Sequence, residues 1–403
     1  MVWTHLSHPV AVVTQVLLFT ICGTSAAYYL LTIHAAREFF KQTRLRGRHL
    51  RPPISILKPV KGLDRDAYEN FASFCRQTYP RYQVIFGAQS ESEPGIAVAR
   101  RIARDFPDID IDIVVSARGA GLNPKVAILG SMMAVAKHPI LLVSDSDIRV
   151  GPAHLETVVG TLADPEVGVV TCLYRSHAAG LPGTLDALGL STEFQPSVLV
   201  ARRLEGVSFA MGSGILIRRS ALDAIGGFHA VADYLADDYL LGNLPSRMGY
   251  RVELSEDVVE HRLGTASLSD LVQHQIRWNR GIRSARPWGY AGLLFTQGIP
   301  AALLLALLGG SVAATGMAGL ALVLRLAMAW YVAVRCLRDP LSRRFLWLVP
   351  LRDLLGFGLW LSAFFGHMVD WRGSRFRLGP GGRLLAEPTP PAETLTPRRA
   401  VSW

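Results

Sequence analysis

An apolar run that stops abruptly in two acidic residues restricts the fold of this chain more than any other feature. Residues 140–143 read Ile-Leu-Leu-Val, and Ser-Asp-Ser-Asp follows directly. Four consecutive apolar residues are typical of a strand buried on both faces of a parallel sheet. Such sheets bind ligands at the carboxyl ends of their strands, where Asp145 and Asp147 would lie. The sequence therefore predicts a ligand site at this edge, although a solvated turn would show the same short pattern.

The spacing of these two acidic residues also indicates what they bind. Asp145 and Asp147 are separated by one residue, so both carboxylates can be directed towards one point. Carboxylate oxygens suit Mg²⁺ or Mn²⁺, and Mg²⁺ usually completes its coordination shell with substrate phosphates. We therefore predict that the pair holds a divalent cation together with a phosphorylated substrate.

Strands and helices alternate through the middle of the chain. Short apolar runs at residues 54–57, 84–88 and 111–115 are each followed by a segment with helical spacing. Strands that alternate with helices of about ten residues predict a doubly wound, mostly parallel α/β sheet. We expect this Rossmann-like domain to occupy residues 51–262 and an interfacial segment to follow at residues 263–290.

The N-terminal part of the chain has the pattern of a membrane anchor. Residues 10–33 are almost free of charge and exceed the length of about 20 residues that spans a bilayer. The run is too long for a signal-peptide core, and no small-residue cleavage site follows it. Arg and Lys are frequent at positions 37–51, which predicts that the next domain is cytoplasmic. We expect an anchor and basic linker over residues 1–50; a buried helix of a soluble domain is the alternative.

Three further apolar segments predict membrane helices between residues 291 and 371. They cover residues 293–308, 312–334 and 345–368, and the first two have the pattern of a helical hairpin. Three full crossings would put the C-terminal tail on the opposite side of the membrane from the globular domain. The tail is rich in arginine, which favours the cytoplasmic side, so we expect one segment not to cross.

Charged residues interrupt these C-terminal segments. Arg325 is costly inside a membrane helix unless it faces a partner or water. Pro350, Arg352 and Asp353 interrupt the third segment, which is therefore expected to be bent, re-entrant or interfacial. Residues 372–403 are predicted to be a basic, disordered tail.

Composition narrows the class of protein. The 403 residues carry a formal charge of +10, half of them are hydrophobic, and the mean hydropathy is +0.27. A basic and apolar chain fits a membrane protein in contact with anionic lipid better than a nucleic-acid binder. The four cysteines are scattered without a CxxC pair, so we expect neither a disulfide framework nor a zinc site.

Two later stretches carry further polar or unusual patterns. Asp237 and Asp238 open a segment of helical spacing, where the helix dipole favours acidic residues in any case. Another helical segment runs into Arg277 and Trp278. Residues 181–204 are apolar but contain two prolines, which predicts a groove or a helix on the membrane surface, or an ordinary packed helix pair.

Four landmarks follow one another along the chain: Lys58-Pro-Val-Lys-Gly-Leu-Asp64, Asp145-Ser-Asp147, Asp237-Asp238 and Gln275-Ile-Arg-Trp278. Their order and spacing resemble the membrane glycosyltransferases of the ceramide glucosyltransferase family, and the likeness covers nearly the whole chain. Within that family, the bacterial hopanoid-biosynthesis glycosyltransferases look most similar, on the stretches at residues 70–77, 144–150, 171–175 and 235–239. The set is specific, although each landmark alone is weak.

This resemblance implies a GT-A nucleotide-sugar fold and a role for each matching residue. Asp64 would lie near the uracil, Asp145 and Asp147 would hold Mg²⁺ or Mn²⁺, and Asp238 would be the catalytic base with Asp237 beside it. The implied nucleotide-binding residues are Pro59, Lys61, Asp64, Gln89, Lys125 and Asp145.

The last landmark departs from the family pattern at one position. Arg277 and Trp278 match it, but His274 stands where the pattern has Gln or Arg, and Gln275 falls one place late. Arg277 is expected to bind the diphosphate, because its planar guanidinium forms bidentate contacts. Trp278 is expected to form a wall beside the sugar or acceptor, with packing in a core as the alternative.

The resemblance implies an inverting enzyme in the bacterial inner membrane, with its catalytic domain facing the cytoplasm. It would transfer N-acetylglucosamine from a UDP-sugar to a polyol-tailed hopanoid in the bilayer. The first alternative is a ceramide glucosyltransferase that uses UDP-glucose. A processive polysaccharide synthase would need more C-terminal membrane segments than this chain has, and a non-catalytic scaffold with a degenerate nucleotide fold is a third alternative.

Overall fold

A sheet of eight strands forms the centre of the computed structural model. The structure describes residues 8–42, 51–116, 121–309, 311–371 and 374–386. In chain order the strands are β1 (Ile54–Pro59), β2 (Tyr82–Ala88), β3 (Asp110–Val115), β4 (Ile140–Val143), β5 (Ile148–Arg149), β6 (Val167–His177), β7 (Ile215–Arg218) and β8 (Arg251–Arg262). Their spatial order is β3-β2-β1-β4-β7-β6-β8-β5.

Most neighbouring strands run in the same direction. β1 pairs in parallel with β2 and β4, β2 with β3, and β6 with β8. Only β7, between β4 and β6, and the short β5 at the edge pair antiparallel to their neighbours. This mixed sheet confirms the predicted α/β fold class, and the two reversed strands are the part that the sequence pattern did not indicate.

Helices cover both faces of the sheet and continue beyond it. In chain order they are α1 (His8–Gln42), α2 (Ala67–Cys75), α3 (Pro94–Asp105), α4 (Pro124–Met132), α5 (His154–Gly160), α6 (Gly180–Gly189), α7 (Gln195–Glu205), α8 (Arg219–Ala224), α9 (Asp237–Arg247), α10 (Leu268–Ala285), α11 (Pro287–Gly292), α12 (Gly298–Gly309), α13 (Val312–Ala329), α14 (Pro340–Phe345) and α15 (Val349–Ser362). Short π-helical segments follow α6 (Leu190–Phe194) and α13 (Trp330–Cys336).

The core explains why the central strands are apolar throughout. Every residue of β1 and β4 is buried. Ile56 and Leu142 belong to the cluster on one face, whereas Leu57 and Val143 belong to the cluster on the other. A strand covered on both faces needs apolar side chains at consecutive positions. The acidic residues Asp145 and Asp147 follow β4 and therefore lie at the edge of the sheet, beyond its buried part.

Several helices have the length and composition of membrane spans. Three of them qualify in the described parts of the chain, Pro9–Lys41, Val312–Cys336 and Pro340–Ser362. A fourth is added if Pro287–Thr296 and Gly298–Leu308, bent by 48° at their junction, count as one span. The third predicted segment begins at Pro340 and ends at Ser362, earlier than predicted. Pro350 does not break it, because it lies in the first turn of α15, where proline is tolerated.

Arg325, which is costly in an apolar helix unless it is paired, forms an ion pair with Asp353. Its guanidinium makes a bidentate contact with the carboxylate of Asp353, with Nε and Nη2 at 2.8 and 2.7 Å from the two oxygens. Both residues are buried, and they link α13 to α15. The two charges that looked costly in separate apolar segments therefore stabilise each other.

The C-terminal part of the described chain forms a second, antiparallel sheet. Its strands are β9 (Met368–Trp371), β10 (Ser374–Leu378) and β11 (Leu384–Ala386). The sheet contacts the segment before α9, where the Leu235 N–H donates to the Gly382 carbonyl at 3.1 Å and Arg383 pairs with Asp233 at 3.1 Å.

The predicted disorder of the tail is therefore wrong for residues 374–386. Alternating side chains of this stretch, including Phe376, Leu378 and Leu384, are buried in a small cluster of their own. Arginines between them dominated the sequence pattern and concealed this alternation. Residues 387–403, and the basic positions at 43–50, lie outside the described residues.

Candidate active site

One cavity of about 660 Å³ adjoins the carboxyl end of β4. The predicted site residues that line it are Lys125, Asp145, Asp147, Asp237, Asp238, Arg277 and Trp278. The predicted residues that do not line it are Pro59, Lys61, Asp64 and Gln89. Asp64 is nevertheless connected to this cavity, because its carboxylate accepts a hydrogen bond from the hydroxyl of Ser146, which lines it.

The backbone of Gly212 joins two of the acidic residues. Its carbonyl accepts a hydrogen bond from the Asp145 N–H at 3.1 Å, and its N–H donates to Asp238 Oδ2 at 3.1 Å. A Cβ atom at this position would lie 2.5 Å from Asp145 Oδ2. A larger residue here would displace the Asp145 carboxylate, so Gly212 leaves the space that this carboxylate occupies, a role that its small-residue turn in the sequence does not indicate.

Lys125 connects the acidic residues from the other side. Its Nζ lies 2.8 Å from Asp145 Oδ1 and 3.1 Å from Asp237 Oδ2. Burial lowers the pKa of this lysine, but the carboxylates of Asp145, Asp237 and Asp238 outweigh burial and raise the pKa above its usual value. Lys125 is thus a fixed positive charge among three carboxylates.

Asn123 places Lys125 at the start of α4. Its side-chain oxygen accepts hydrogen bonds from the N–H groups of Lys125 and Val126, at 3.0 and 3.2 Å, and so caps the helix. Its amide nitrogen donates to Asp237 Oδ1 at 3.2 Å. The turn before Lys125, one of the implied nucleotide-binding residues, therefore also holds Asp237 at the start of α9.

Asp238 has a buried carboxyl group with a raised pKa. Burial, followed by the neighbouring negative charge of Asp237, raises the pKa of its carboxyl to about 6. Two N–H groups, those of Gly212 and Tyr239, donate to its oxygens at 3.1 and 2.8 Å and fix its orientation. A carboxylate whose pKa lies near neutrality can accept a proton more effectively than an ordinary aspartate.

The donor set at the end of β4 fits a cation only together with a substrate. Among the described residues, no group of three or more His, Cys, Asp and Glu side chains could hold a metal. Asp145 and Asp147 supply carboxylate oxygens, and His261 Nε2 lies 3.2 Å from Asp147 Oδ2. Two carboxylates with phosphate oxygens are a usual coordination for Mg²⁺, so these residues fit such an ion.

Trp278 lies in the wall of the cavity and is also packed against other side chains. It lines the cavity, and its ring packs against Phe194 and His274 with centroids at 4.8 and 5.7 Å. It is therefore part of the wall of the cavity and of the packing between α10 and the π-helical segment.

A buried carboxylate that the sequence analysis did not single out holds α10 in place. Asp186 accepts hydrogen bonds from Gln275 Nε2 at 2.6 Å and Thr265 Oγ1 at 2.7 Å, and it contacts His274 Nδ1 at 2.9 Å. Burial raises its pKa, but these hydrogen bonds and His274 lower the pKa below its usual value. His274 and Gln275, the two candidates for the first motif position, thus bind one carboxylate.

Lys58 is a second residue whose position only the structure reveals. Its side chain is fully buried beneath the loop after β4, where its ammonium donates to the Asp145 carbonyl and lies 3.5 Å from Ser144 Oγ. Burial lowers its pKa to about 7. Lys58 supports the loop that carries Asp145 and Asp147, which explains the basic residue at the end of an apolar strand.

The cavity extends from the acidic residues to the apolar helices. At this second end it is lined by Tyr28 and Tyr29 of α1 and by Arg325 and Met328 of α13. Both helices belong to the candidate membrane spans. Residues 190–198, within the apolar stretch that was predicted to form a groove, a surface helix or a packed pair, contribute to its wall as packed helices.

The fold and this cavity define the class of protein. A mannosyltransferase from Pyrobaculum calidifontis, solved in complex with GDP-Man and Mn²⁺, has the same fold with a TM-score of 0.55 at 17% identity. The match covers 87% of this chain and 99% of the mannosyltransferase. This likeness shows that the chain has a GT-A-like fold.

The sequence comparison identifies the family. Residues 17–384 match the family described as Glycosyl transferase family 21, and the chain belongs to this family. Ceramide glucosyltransferases 3 and 1 of Caenorhabditis elegans are similar to it, at 23% and 24% identity. Each alignment covers 91% of this chain, with 83% and 81% of the respective relatives.

Proposed function

We propose that this enzyme transfers a sugar from a UDP-sugar to a hydroxyl group of a membrane lipid and inverts the anomeric carbon. The observation that carries this proposal is the single cavity that joins a cluster of acidic residues to two apolar helices, α1 and α13. A lipid hydroxyl can reach the acidic end of such a cavity while its hydrocarbon chain stays in the bilayer.

The donor binds at the end of β4. Transfer from a nucleotide sugar releases a diphosphate that gains negative charge in the transition state. Lys125 and Arg277 both line the cavity and supply positive charge to these oxygens. A divalent cation held by Asp145 and Asp147 would neutralise the same charge. Pro59, Lys61, Asp64 and Gln89 would bind the nucleoside.

The acceptor reacts at Asp238. This carboxylate removes the proton from the attacking hydroxyl, on the face of the sugar opposite the leaving diphosphate, while burial and the negative charge of Asp237 keep its pKa high. Direct attack from that face inverts the configuration and yields a β-linked product from an α-linked donor. Trp278 forms the wall beside the sugar or the acceptor.

The comparisons favour a ceramide-type acceptor and UDP-glucose, because the curated relatives that cover most of this chain are ceramide glucosyltransferases. A polyol-tailed hopanoid with UDP-N-acetylglucosamine is the second candidate. It is favoured by the stretches at residues 70–77, 144–150, 171–175 and 235–239, which resemble the hopanoid-biosynthesis enzymes.

We propose that the catalytic domain and the C-terminal sheet lie on the same side of a bacterial inner membrane, the cytoplasmic side. The chain leaves the domain after α10 and returns to it at β9, where Arg280 donates to the Met368 carbonyl. The intervening helices therefore cross the membrane an even number of times. Two crossings result when Val312–Cys336 spans together with one other segment, either Pro340–Ser362 or the bent pair Pro287–Thr296 and Gly298–Leu308. The proposed units are the anchor and basic linker (residues 1–50), the catalytic domain (51–262), the interfacial segment (263–290) and the C-terminal membrane helices from residue 291. The C-terminal sheet follows the last of these helices.

Purified protein in lipid nanodiscs should convert one UDP-sugar and one lipid into a glycolipid with a single β-linked sugar. UDP-glucose and UDP-N-acetylglucosamine would each be offered with ceramide and with a polyol-tailed hopanoid, and products would be identified by mass spectrometry and NMR. EDTA should abolish the reaction, and Mg²⁺ or Mn²⁺ should restore it. Hydrolysis of the UDP-sugar without any lipid product would contradict the proposal.

The rate should depend on the protonation of Asp238. The base acts as a carboxylate, so its active form is lost as the pH falls through its raised pKa of about 6. We expect kcat/KM for transfer to fall about tenfold per pH unit below that value and to level off above it. A kcat/KM that stays constant down to pH 4.5 would show that Asp238 titrates in its usual range or is not the base.

A further inference from the structure

A group of polar side chains, all of them buried except that of Glu193, lines the cavity where it meets the apolar helices. We call it the membrane-side cluster; its members are Glu193, Gln275, Arg325, Arg352 and Asp353. The guanidinium of Arg325 on α13 lies 5.9 Å from the ring of Tyr29 on α1. The cluster thus lies beside two helices that have the composition of membrane spans, and the proposed chemistry uses none of its members.

Arg352 has hydrogen-bond donors that the protein leaves unused. The residue is 3% exposed, and its Nη2 donates to Gln275 Oε1 at 3.3 Å. Its Nε and Nη1 are buried and have no acceptor anywhere in the described chain. A buried donor without an acceptor costs free energy, and more so when the group is charged. An acceptor oxygen of a bound ligand would remove this cost.

Glu193 places an acceptor beside the third nitrogen of the same guanidinium, Nη2. It lies in the π-helical segment Leu190–Phe194, and π-helical turns occur frequently at functional sites. Its side chain lines the cavity with 45% of its surface exposed, and its Oε2 lies 3.5 Å from Arg352 Nη2. The next residue, Phe194, packs on Trp278, so Glu193 adjoins the wall of the reaction site.

The charges of the cluster indicate what kind of ligand it binds. Arg325 is paired with Asp353, and Arg352 faces Glu193, so the four charges sum to zero. A phosphate group would be repelled by Glu193, whereas a neutral group with both a donor and an acceptor can bind Glu193 and Arg352 together. The ligand expected here is therefore polar and uncharged.

We infer that the membrane-side cluster binds the polar head of an uncharged lipid alcohol through a second hydrogen-bonding group, next to the hydroxyl that reacts. This inference rests on the proposed function and deepens it. The amide and second hydroxyl of a ceramide share this chemistry with the additional hydroxyls of a polyol-tailed lipid. The cluster thus distinguishes such lipids from a simple long-chain alcohol, which offers no second group.

The test compares acceptors rather than absolute rates. Wild-type enzyme should prefer ceramide or the polyol-tailed lipid to hexadecanol in kcat/KM. Glu193→Gln keeps the shape of the side chain but loses its charge, and it should lower this preference about 10-fold or more, since hydrogen bonds to charged groups are strong. The KM for the UDP-sugar should stay unchanged. Arg352→Lys, which removes the unused Nε and Nη1 donors, should act in the same direction.

Glu156→Gln provides the matched control, because Glu156 also pairs with an arginine, Arg51, at 3.3 Å, but does not line the cavity. It should leave the acceptor preference at the wild-type value. An unchanged preference in Glu193→Gln, with wild-type enzyme active, would overturn the inference alone. Wild-type enzyme that glycosylates no lipid alcohol at all would overturn the proposed function, and the inference with it.

Discussion

Asp238→Asn is expected to reduce sugar transfer about 10²–10⁴-fold, the effect typical of removing one positioned general base. The substitution keeps the volume of the side chain but removes the group that accepts the proton of the acceptor hydroxyl. Binding of UDP should survive, because Lys125, Asp145 and Arg277 still line the donor end of the cavity. Transfer is measured as glycolipid formed over time, and UDP binding by calorimetry on the same preparation.

Asp238→Asn can also lower the stability of the protein, and a control must separate this effect from the loss of the base. Asp238 accepts hydrogen bonds from the N–H groups of Gly212 and Tyr239, and an asparagine can accept only one of them through its single oxygen. A thermal unfolding curve detects any resulting loss of stability. Asp223→Asn, at an exposed position on α8, should leave both transfer and stability unchanged. Full activity of Asp238→Asn would show that another group is the base.

Asp353→Ala is expected to destabilise the protein by about 3–5 kcal/mol, the usual consequence of removing one partner from a buried ion pair. The variant leaves the guanidinium of Arg325, which is 3% exposed, without its bidentate carboxylate. A single charge in an apolar helix is costly, so α13 and α15 should separate at a lower temperature. The midpoint of thermal unfolding in detergent measures this effect.

The double variant Arg325→Met with Asp353→Leu supplies the matched comparison. It removes both charges and replaces them with apolar side chains of similar size, a change that is often neutral or stabilising for a buried pair. Its unfolding midpoint should therefore lie well above that of Asp353→Ala. A double variant as unstable as the single one would show that packing around these residues, and not the uncompensated charge, determines the stability of the helix pair.

The sequence predicts the sheet better than it predicts the direction of its strands. Apolar runs such as residues 140–143 identify a buried strand, because only a strand covered on both faces requires consecutive apolar residues. The same run fits a parallel or an antiparallel neighbour equally well. The reversal of β7 therefore depends on how the chain returns to the sheet after α7, which no local pattern encodes.

The candidate site shows a similar division. Acidic residues at strand and helix ends, such as Asp145 and Asp238, are visible because they interrupt apolar patterns. Asp186 is a single acidic residue in an apolar stretch, and Lys58 is a basic residue at the end of an apolar strand; buried polar groups are normally hydrogen-bonded, but neither pattern indicates the partner. Their partners are distant along the chain: Asp186 binds His274 and Gln275, 88 and 89 residues further on.

The sequence by itself determined the α/β class, the apolar helices at both ends and the acidic residues at the end of β4, because periodicity and charge are local properties. Only the tertiary structure decided that Gly212 joins Asp145 to Asp238, that Arg325 meets Asp353, and that the C-terminal strands return to the catalytic domain. These contacts depend on the packing of segments far apart in the chain, where each group finds its partner only after the helices and the sheet have assembled.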